Sequence, residues 1–193
     1  SEAALIDPQI RQLLELSWEA LESGAHRLDD LRDGVGVYVG VGYNTYLARN
    51  LLSHPDLLRD VGWFGLRHLG NDKDFAATTV AYRLDLRGPA LSVQTACSTS
   101  LTALHLAVQA LLGHECDVAL AGAATVEVPA GAGYRYVPGE VLSPDGVCRP
   151  FDAQAGGTVL TSGAGVLSLR RLEDALTDGD PVLAVVRGTA LNN

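Results

Sequence analysis

The sequence contains no methionine and only three cysteines among its 193 residues. An odd number of cysteines spread along the chain is not the pattern of a disulfide framework, so we expect a reducing, cytoplasmic location. The chain also lacks a signal-peptide pattern and any apolar run near the ~20 residues that a membrane span needs, which argues against a membrane partner. Because an initiator methionine is absent, we expect Ser1 to be a cut point inside a longer protein.

Basic residues are scarce as well. Lysine and arginine number 14 against 23 aspartates and glutamates, which gives a formal net charge of −9. Nucleic-acid-binding proteins normally carry a basic stripe, whereas the densest basic cluster here is the pair Arg170-Arg171. The charge balance therefore argues against nucleic acid as a partner. Apolar residues are plentiful, at 47%, and this composition predicts a folded domain instead of a disordered tail.

Apolar segments separated by turn signals predict alternating strands and helices. The first helix begins at the N-cap Asp7 with Pro8 in its first position, and Gly24 ends it. Strands are predicted over residues 35–41, 91–95, 117–123, 163–169 and 182–187, and those over 35–41 and 117–123 are expected to be buried. Further helices are predicted over residues 71–87, with Asn71 as N-cap, and over 101–112 and 171–176. Residues 43–70 are predicted to be irregular, with one short amphipathic stretch around residues 47–58. This alternation predicts an α/β fold with a mostly parallel sheet and helices on both faces.

Cys97 stands where a predicted strand runs straight into a predicted helix. A strand-to-helix turn projects its apical side chain outward, as the nucleophile elbow of hydrolases does with serine. The free N–H groups of a helix's first turn stabilise a thiolate, and the backbone N–H of Cys97 itself can donate to a developing oxyanion. Most free cysteines are buried structural residues, and the local pattern alone leaves that alternative open.

The sequence TACSTSL at residues 95–101 closely resembles the active-site signature of ketosynthases. Other segments resemble the same family in the same order: DPQ from Asp7, WEALE from Trp18, GNDKDF from Gly70, LSPDG from Leu142, CRPFD from Cys148, RLEDAL from Arg171, and the final Asn192-Asn193. Their details look more like bacterial modular type I polyketide synthases than stand-alone fatty-acid enzymes.

The resemblance implies a thiolase-like fold, in which two similar halves form α-β-α-β-α layers. Residues 1–193 would then be a partial ketosynthase domain, mostly the N-terminal half that carries the nucleophile. We expect it to be incomplete at both ends, because the family's opening strand should precede Ser1 and its two catalytic histidines should follow Asn193.

The resemblance also implies the reaction. Cys97 would accept an acyl chain from the phosphopantetheine of an acyl carrier protein, and a malonyl-type extender would then condense with it after losing CO2. No metal and no other cofactor is expected. The implied partners are the carrier protein, a second copy in a homodimer, and neighbouring domains of a multidomain synthase. Candidates for the acyl pocket are Ala96, Gly131 and Tyr134, although a glycine-rich surface loop explains the last two equally well.

For the remaining candidate residues, the spacing and the sequence context favour structural roles. His105 follows Cys97 by eight positions, ~12 Å along a helix at ~1.5 Å per residue, which is too far for a hydrogen bond. We expect His26, His54, His68 and His114 to be solvated, and Cys116 and Cys148 to be structural thiols. The glycines at 34, 36 and 40 have the wrong spacing for a dinucleotide site. Gly163-Ala164-Gly165 is expected to permit close packing.

Three other functions stay open at this point. The first is a non-elongating ketosynthase that only transfers acyl groups, and the residues that would decide it lie beyond Asn193. The second is a non-catalytic ketosynthase-like partner subunit, against which Cys97 argues because such subunits generally lack the nucleophile. The third is a biosynthetic thiolase, to which the segments around Asp72 and Pro144 fit poorly.

Overall fold

A computed structural model describes residues 2–24 and 34–192; Ser1, His26 and Asn193 lie outside this part of the chain. Its centre is a four-stranded sheet made of β1 (Val35–Val41), β2 (Ala90–Ser92), β3 (Val118–Thr125) and β4 (Gly163–Arg170). The strand order is β2-β1-β3-β4. β1 runs parallel to β2 and to β3, whereas β4 is antiparallel to β3. The predicted mostly parallel sheet is confirmed, with one antiparallel strand at its edge.

The helices are α1 (Pro8–Ser23), α2 (Pro55–Val61), α3 (Trp63–His68), α4 (Ala76–Arg83), α5 (Thr99–Leu112) and α6 (Leu172–Asp178). Short 3-10 segments span Glu2–Leu5, Lys73–Phe75 and Ala96–Ser98, and a π-helical turn spans Leu47–Leu51. α1 begins as predicted, because Asp7 accepts a hydrogen bond from the Gln9 N–H and Pro8 takes the first helical position. Within the described ranges, none of the helices has the length and hydropathy that a membrane span requires.

β1 separates two apolar cores because successive side chains of a strand point to opposite faces. Its valines contact α1 and α4 on one face of the sheet, in a cluster that includes Ile10, Leu13 and Val80. On the other face, Tyr38 packs with Ala103 and Ala107 of α5. The sheet therefore has helices on both faces, as predicted, and forms the middle of an α-β-α arrangement.

Sequence predictions about secondary structure are wrong in several segments. Residues 43–70, predicted to be irregular apart from one short amphipathic stretch, contain the π-helical turn, α2 and α3. Residues 182–187, predicted to be a strand, pair with no strand among the described residues, and Leu183 is exposed. A strand needs a partner for its backbone groups, so an apolar pattern alone does not form one. β2 also ends earlier than predicted, at Ser92.

Asn71 does not cap the helix that was predicted to begin there. α4 starts at Ala76, and its N-cap residue, Phe75, makes no side-chain cap. The Asn71 side chain is instead buried, and its Nδ2 donates to the carbonyl oxygens of Leu5 and, at 2.8 Å, of Leu66. Satisfying distant backbone carbonyls is what a buried amide requires, and local spacing could not foresee these partners.

Candidate active site

Cys97 occupies the 3-10 turn Ala96–Ser98 between β2 and α5. Its thiol is free and exposed. The residue before it, Ala96, has a φ of 52°, in the left-handed region that non-glycine residues seldom adopt. Such backbone strain is concentrated at functional sites, where the surrounding structure has to hold it in place. The structure thus presents the thiol on a sharp strand-to-helix turn, at the position that the sequence predicted.

Hydroxyl groups on both sides of Cys97 hold this turn. Thr99 Oγ1 accepts the Thr95 N–H at 3.0 Å and donates to the Ala96 carbonyl at 2.8 Å. Ser98 Oγ donates to the Thr95 carbonyl at 2.8 Å. The Thr95 hydroxyl also donates to Thr102 Oγ1 of α5 at 3.0 Å. Serine and threonine side chains commonly bond to nearby backbone groups, so these roles are ones that the sequence could have suggested.

Gly40 of β1 lets the turn pack directly on the sheet. A Cβ atom at this position would lie 2.3 Å from the Val93 carbonyl oxygen and 2.3 Å from Thr99 Cγ2. The Val93 N–H meanwhile donates to the Val39 carbonyl at 2.9 Å, which ties the turn to β1. The glycine that resembled part of a nucleotide motif therefore supports the turn of Cys97.

The Cys97 side chain borders an open cleft of about 710 Å³ at the ends of β1, β3 and β4. Small and uncharged residues make up most of its wall: Gly40, Val41, Gly42, Ala123, Ala124, Thr125, Gly163, Ala164 and Gly165. Ala96 also lines it, as does Lys73, the one charged side chain among its described lining residues. A cleft of this size and character suits a flexible apolar chain attached to the thiol.

Neither Gly131 nor Tyr134 is among the described lining residues of this cleft. Tyr134 donates its hydroxyl to the Ser143 carbonyl at 2.6 Å, and Gly131 has a φ of 70° in an exposed loop. Their role in an acyl pocket stays a prediction. The predicted close packing at Gly163 and Gly165 is wrong for the part of the chain that the structure describes, where a Cβ at either position would meet no atom within 4 Å.

None of the described histidines lines the cleft. His105 lies on α5, and its Nδ1 is 2.9 Å from Thr189 Oγ1. His54 and His114 are exposed, as predicted. His68 is partly buried, and its ring stacks on Phe64 with a centroid distance of 3.8 Å.

The other two thiols differ from Cys97 and from each other. Cys116 is buried, and burial raises the pKa of its thiol, which disfavours the reactive thiolate. Its neighbour Tyr38 is affected in the same way: burial first, and then the proximity of Cys116, raise the pKa of Tyr38 to about 12. Cys148 is exposed, but it is not among the described lining residues of the cleft.

Among the described residues, no group of three or more histidine, cysteine, aspartate or glutamate side chains could hold a metal ion.

Comparison with known proteins gives a consistent result. Residues 1–175 match the family model described as "Beta-ketoacyl synthase, N-terminal domain". The chain is 45% identical over 197 residues to a phenolphthiocerol/phthiocerol polyketide synthase polypeptide of Mycobacterium tuberculosis, covering 99% of the chain and 13% of that protein. It is 46% identical over 194 residues to erythronolide synthase EryA3 of Saccharopolyspora erythraea, covering 99% of the chain and 6% of that protein. The chain therefore spans only a small part of these relatives.

Solved structures agree with the sequence comparison. The ketosynthase from module 1 of the bacillaene synthase of Bacillus amyloliquefaciens FZB42 superposes with a TM-score of 0.80 at 34% identity, covering 96% of this chain and 33% of that one. The oxazolomycin ketosynthase domain OzmH KS7 of Streptomyces albus JA3453 gives a TM-score of 0.75 at 36% identity, covering 96% of this chain and 32% of that one. The predicted thiolase-like fold, with this chain as mostly the N-terminal half, is confirmed.

Proposed function

The chain belongs to the β-ketoacyl synthase family, and on that basis we propose that it carries the nucleophile of a polyketide-synthase ketosynthase, with Cys97 as the residue that is acylated. The observation that carries the proposal is the position of the thiol. It is exposed on a hydrogen-bonded strand-to-helix turn and borders a cleft that can hold an acyl chain. A nucleophile so placed suits attack on a thioester carbonyl.

The proposed reaction has two stages. The Cys97 thiolate attacks the thioester carbonyl of an acyl chain on phosphopantetheine, and the Cys97 N–H donates to the oxyanion. Collapse of the tetrahedral intermediate expels the phosphopantetheine thiolate and leaves the acyl group on Cys97. A malonyl-type thioester then loses CO2, and its carbanion attacks the acyl carbonyl, which forms the new carbon–carbon bond and releases the Cys97 thiolate. The family's two histidines would assist this second stage from the other half of the domain.

Alternative functions receive less support. An exposed nucleophile in a strained turn disfavours a non-catalytic partner subunit, which has no use for one. A non-elongating ketosynthase would need the same Cys97 acylation and would differ only in the second stage. Both kinds of ketosynthase work on thioesters held by a carrier protein, with no metal or further cofactor of their own, in the cytoplasm.

We also propose a homodimer, joined through the β2 edge of the sheet. β2 pairs with β1 alone among the described strands, so its other edge is unpaired. Leu91 in this strand is 48% exposed. An exposed apolar edge invites pairing with another strand, and a two-fold axis would satisfy both copies at once.

We propose neighbouring domains in the same chain as well, because the region that matches this chain is only a small part of each relative.

Acylation should be selective for Cys97 in the complete ketosynthase domain. We expect an N-acetylcysteamine acyl thioester to modify Cys97 at least about tenfold faster than Cys148, because only the former lies beside the cleft. Cys116 should stay unmodified, since it is buried. Peptide mass mapping over a time course measures all three rates. Iodoacetamide is the control reagent, because its small size should let it alkylate both exposed thiols. Equal acylation of Cys97 and Cys148 would refute the proposal.

Replacing Leu91 by aspartate should convert the dimer into a monomer, because each of two facing edge strands would then carry a buried like charge. Leu176→Asp is the matched control. Leu176 is also exposed, but it lies on α6 after β4, at the opposite edge of the sheet. Sedimentation velocity distinguishes the two states. A Leu91→Asp variant that remains dimeric would place the interface elsewhere.

A further inference from the structure

Gln9 is polar and yet completely enclosed, with an exposed fraction of 0%. It lies in the first turn of α1, behind the sheet, two positions after the N-cap Asp7. Glutamine is mostly found at protein surfaces, and a buried one needs hydrogen-bond partners. The partners of Gln9 therefore indicate why the fold keeps an amide there.

Asp7 determines which way the Gln9 amide points. The Asp7 carboxylate accepts the Gln9 backbone N–H through Oδ1 and the side-chain Nε2 through Oδ2, both at 2.9 Å. An ionised carboxylate can only accept, so the Nε2 group has to face Asp7 and Oε1 has to face away from it. Burial raises the pKa of Asp7, and the two bonds from Gln9 act against this rise.

The Oε1 atom faces the ends of two strands. It accepts the Gly42 N–H at 2.9 Å and the Val126 N–H at 3.3 Å. Gly42 directly follows β1, and Val126 directly follows β3. The last pair that these two strands form with each other is Val41 with Ala124. The Gly42 N–H is shared with the Ala124 carbonyl at 3.0 Å. The Gln9 side chain thus joins the two strands immediately beyond their last pair.

The strand ends joined by Gln9 form part of the cleft beside Cys97. Gly42 and Thr125 both line the cleft, whereas Gln9 is not among its described lining residues. The packing here is tight: a Cβ on Gly42 would lie 2.7 Å from Thr125 Oγ1 and 3.0 Å from Gln9 Oε1. A displacement of Gln9 therefore has to be transmitted to the wall of the cleft.

We propose that Gln9, oriented by Asp7, is a positioning residue that sets the cleft wall at Gly42 and Thr125 and thereby the length of acyl chain that Cys97 accepts. The inference rests on the proposed function, in which the acyl group on Cys97 occupies this cleft. An acetyl group adds only two carbons to the thiol. A hexanoyl group has to extend along the wall, so the rate at which it loads on Cys97 should depend on the positions of Gly42 and Thr125.

Gln9→Met in the complete domain tests the proposal, because methionine keeps the length of the side chain and removes its hydrogen bonds. We expect kcat/KM for hexanoyl loading from the N-acetylcysteamine thioester to fall about tenfold, the size that follows from unpairing buried N–H groups, while acetyl loading stays within about twofold of wild type. A general loss of folded protein would lower both rates equally. Gln12→Met is the control, since Gln12 is exposed on the same helix and bonds only to Glu15 among the described residues.

Thermal melts identify which variants are folded at the assay temperature. Gln9→Asn is the second variant, because it keeps the amide but shortens its reach by one methylene, and it should shift the hexanoyl-to-acetyl ratio in the same direction. An unchanged ratio in a folded Gln9 variant overturns the inference, and so does an equal loss for both acyl groups or a failure of both variants to fold. These results leave the proposed function intact. Failure of the wild-type domain to load either group on Cys97 overturns the proposed function itself, and the inference with it.

Discussion

A Cys97→Ala variant of the complete ketosynthase domain should form carbon–carbon bonds roughly a thousandfold more slowly than wild type, or not at all. The proposed reaction passes through an acyl group on this sulfur, and alanine offers no atom that can carry it. The side chain is exposed, so its removal leaves no buried cavity and should not change the melting temperature. The loss would then be one of chemistry and not of folding.

Cys148→Ala is the matched control, since it removes another exposed thiol, one that is not among the described lining residues of the cleft. It should retain full activity. Product formation is measured by mass spectrometry with an acyl thioester as starter and a malonyl thioester as extender. A Cys97→Ala variant that still condenses at a near wild-type rate would show that the nucleophile is another residue.

Gly40→Ala adds a single methyl group beside the turn that carries Cys97, and it should both destabilise the fold and slow acyl loading. The new Cβ would lie 2.3 Å from the Val93 carbonyl oxygen, a backbone atom that cannot move without the turn that carries Cys97. We expect the free energy of unfolding to fall by about 3 kcal/mol, the upper range for overpacking a buried site. Because the turn has to shift, acyl loading at Cys97 should fall about a hundredfold even in the folded fraction.

Gly156→Ala provides the comparison for Gly40→Ala. A Cβ at Gly156 would make only ordinary contacts, the nearest being 3.6 Å from Pro144 Cδ. Denaturant titration gives the unfolding free energies, and loading rates are measured below the unfolding transition. If Gly40→Ala loads acyl groups as fast as Gly156→Ala, then the packing of β1 against the turn does not position the thiol.

Local sequence signals predicted the elements that form through neighbouring residues. The start of α1 followed from Asp7 and Pro8, which act within one helical turn. The uncharged, valine-rich run of β1 predicted a strand buried on both faces, and all of its residues are buried. The strand that runs into a helix predicted the turn at Cys97, because that geometry depends only on consecutive residues.

Predictions that depended on distant partners were less successful. The apolar pattern of residues 182–187 predicted a strand, but no described strand lies beside it to accept its hydrogen bonds. Asn71 had the spacing of a helix cap, yet its side-chain amide donates hydrogen bonds to the carbonyls of Leu5 and Leu66. The local pattern of each segment is compatible with more than one structure. The outcome depended on whether a partner strand lay beside residues 182–187 and on which carbonyl groups surrounded Asn71.

The sequence by itself determined the family and predicted Cys97 as the nucleophile, because a motif such as TACSTSL reflects chemistry that is local to one turn. Only the tertiary structure decided which residues surround that turn. It brought Gly40 against Val93 and joined Gly42 to Val126 through Gln9, whose own contact with Val126 spans 117 residues of sequence. Such contacts arise when parallel strands separated by helices align in one sheet. Their register depends on the packing of the whole layer and cannot be read from the spacing of the residues that make them.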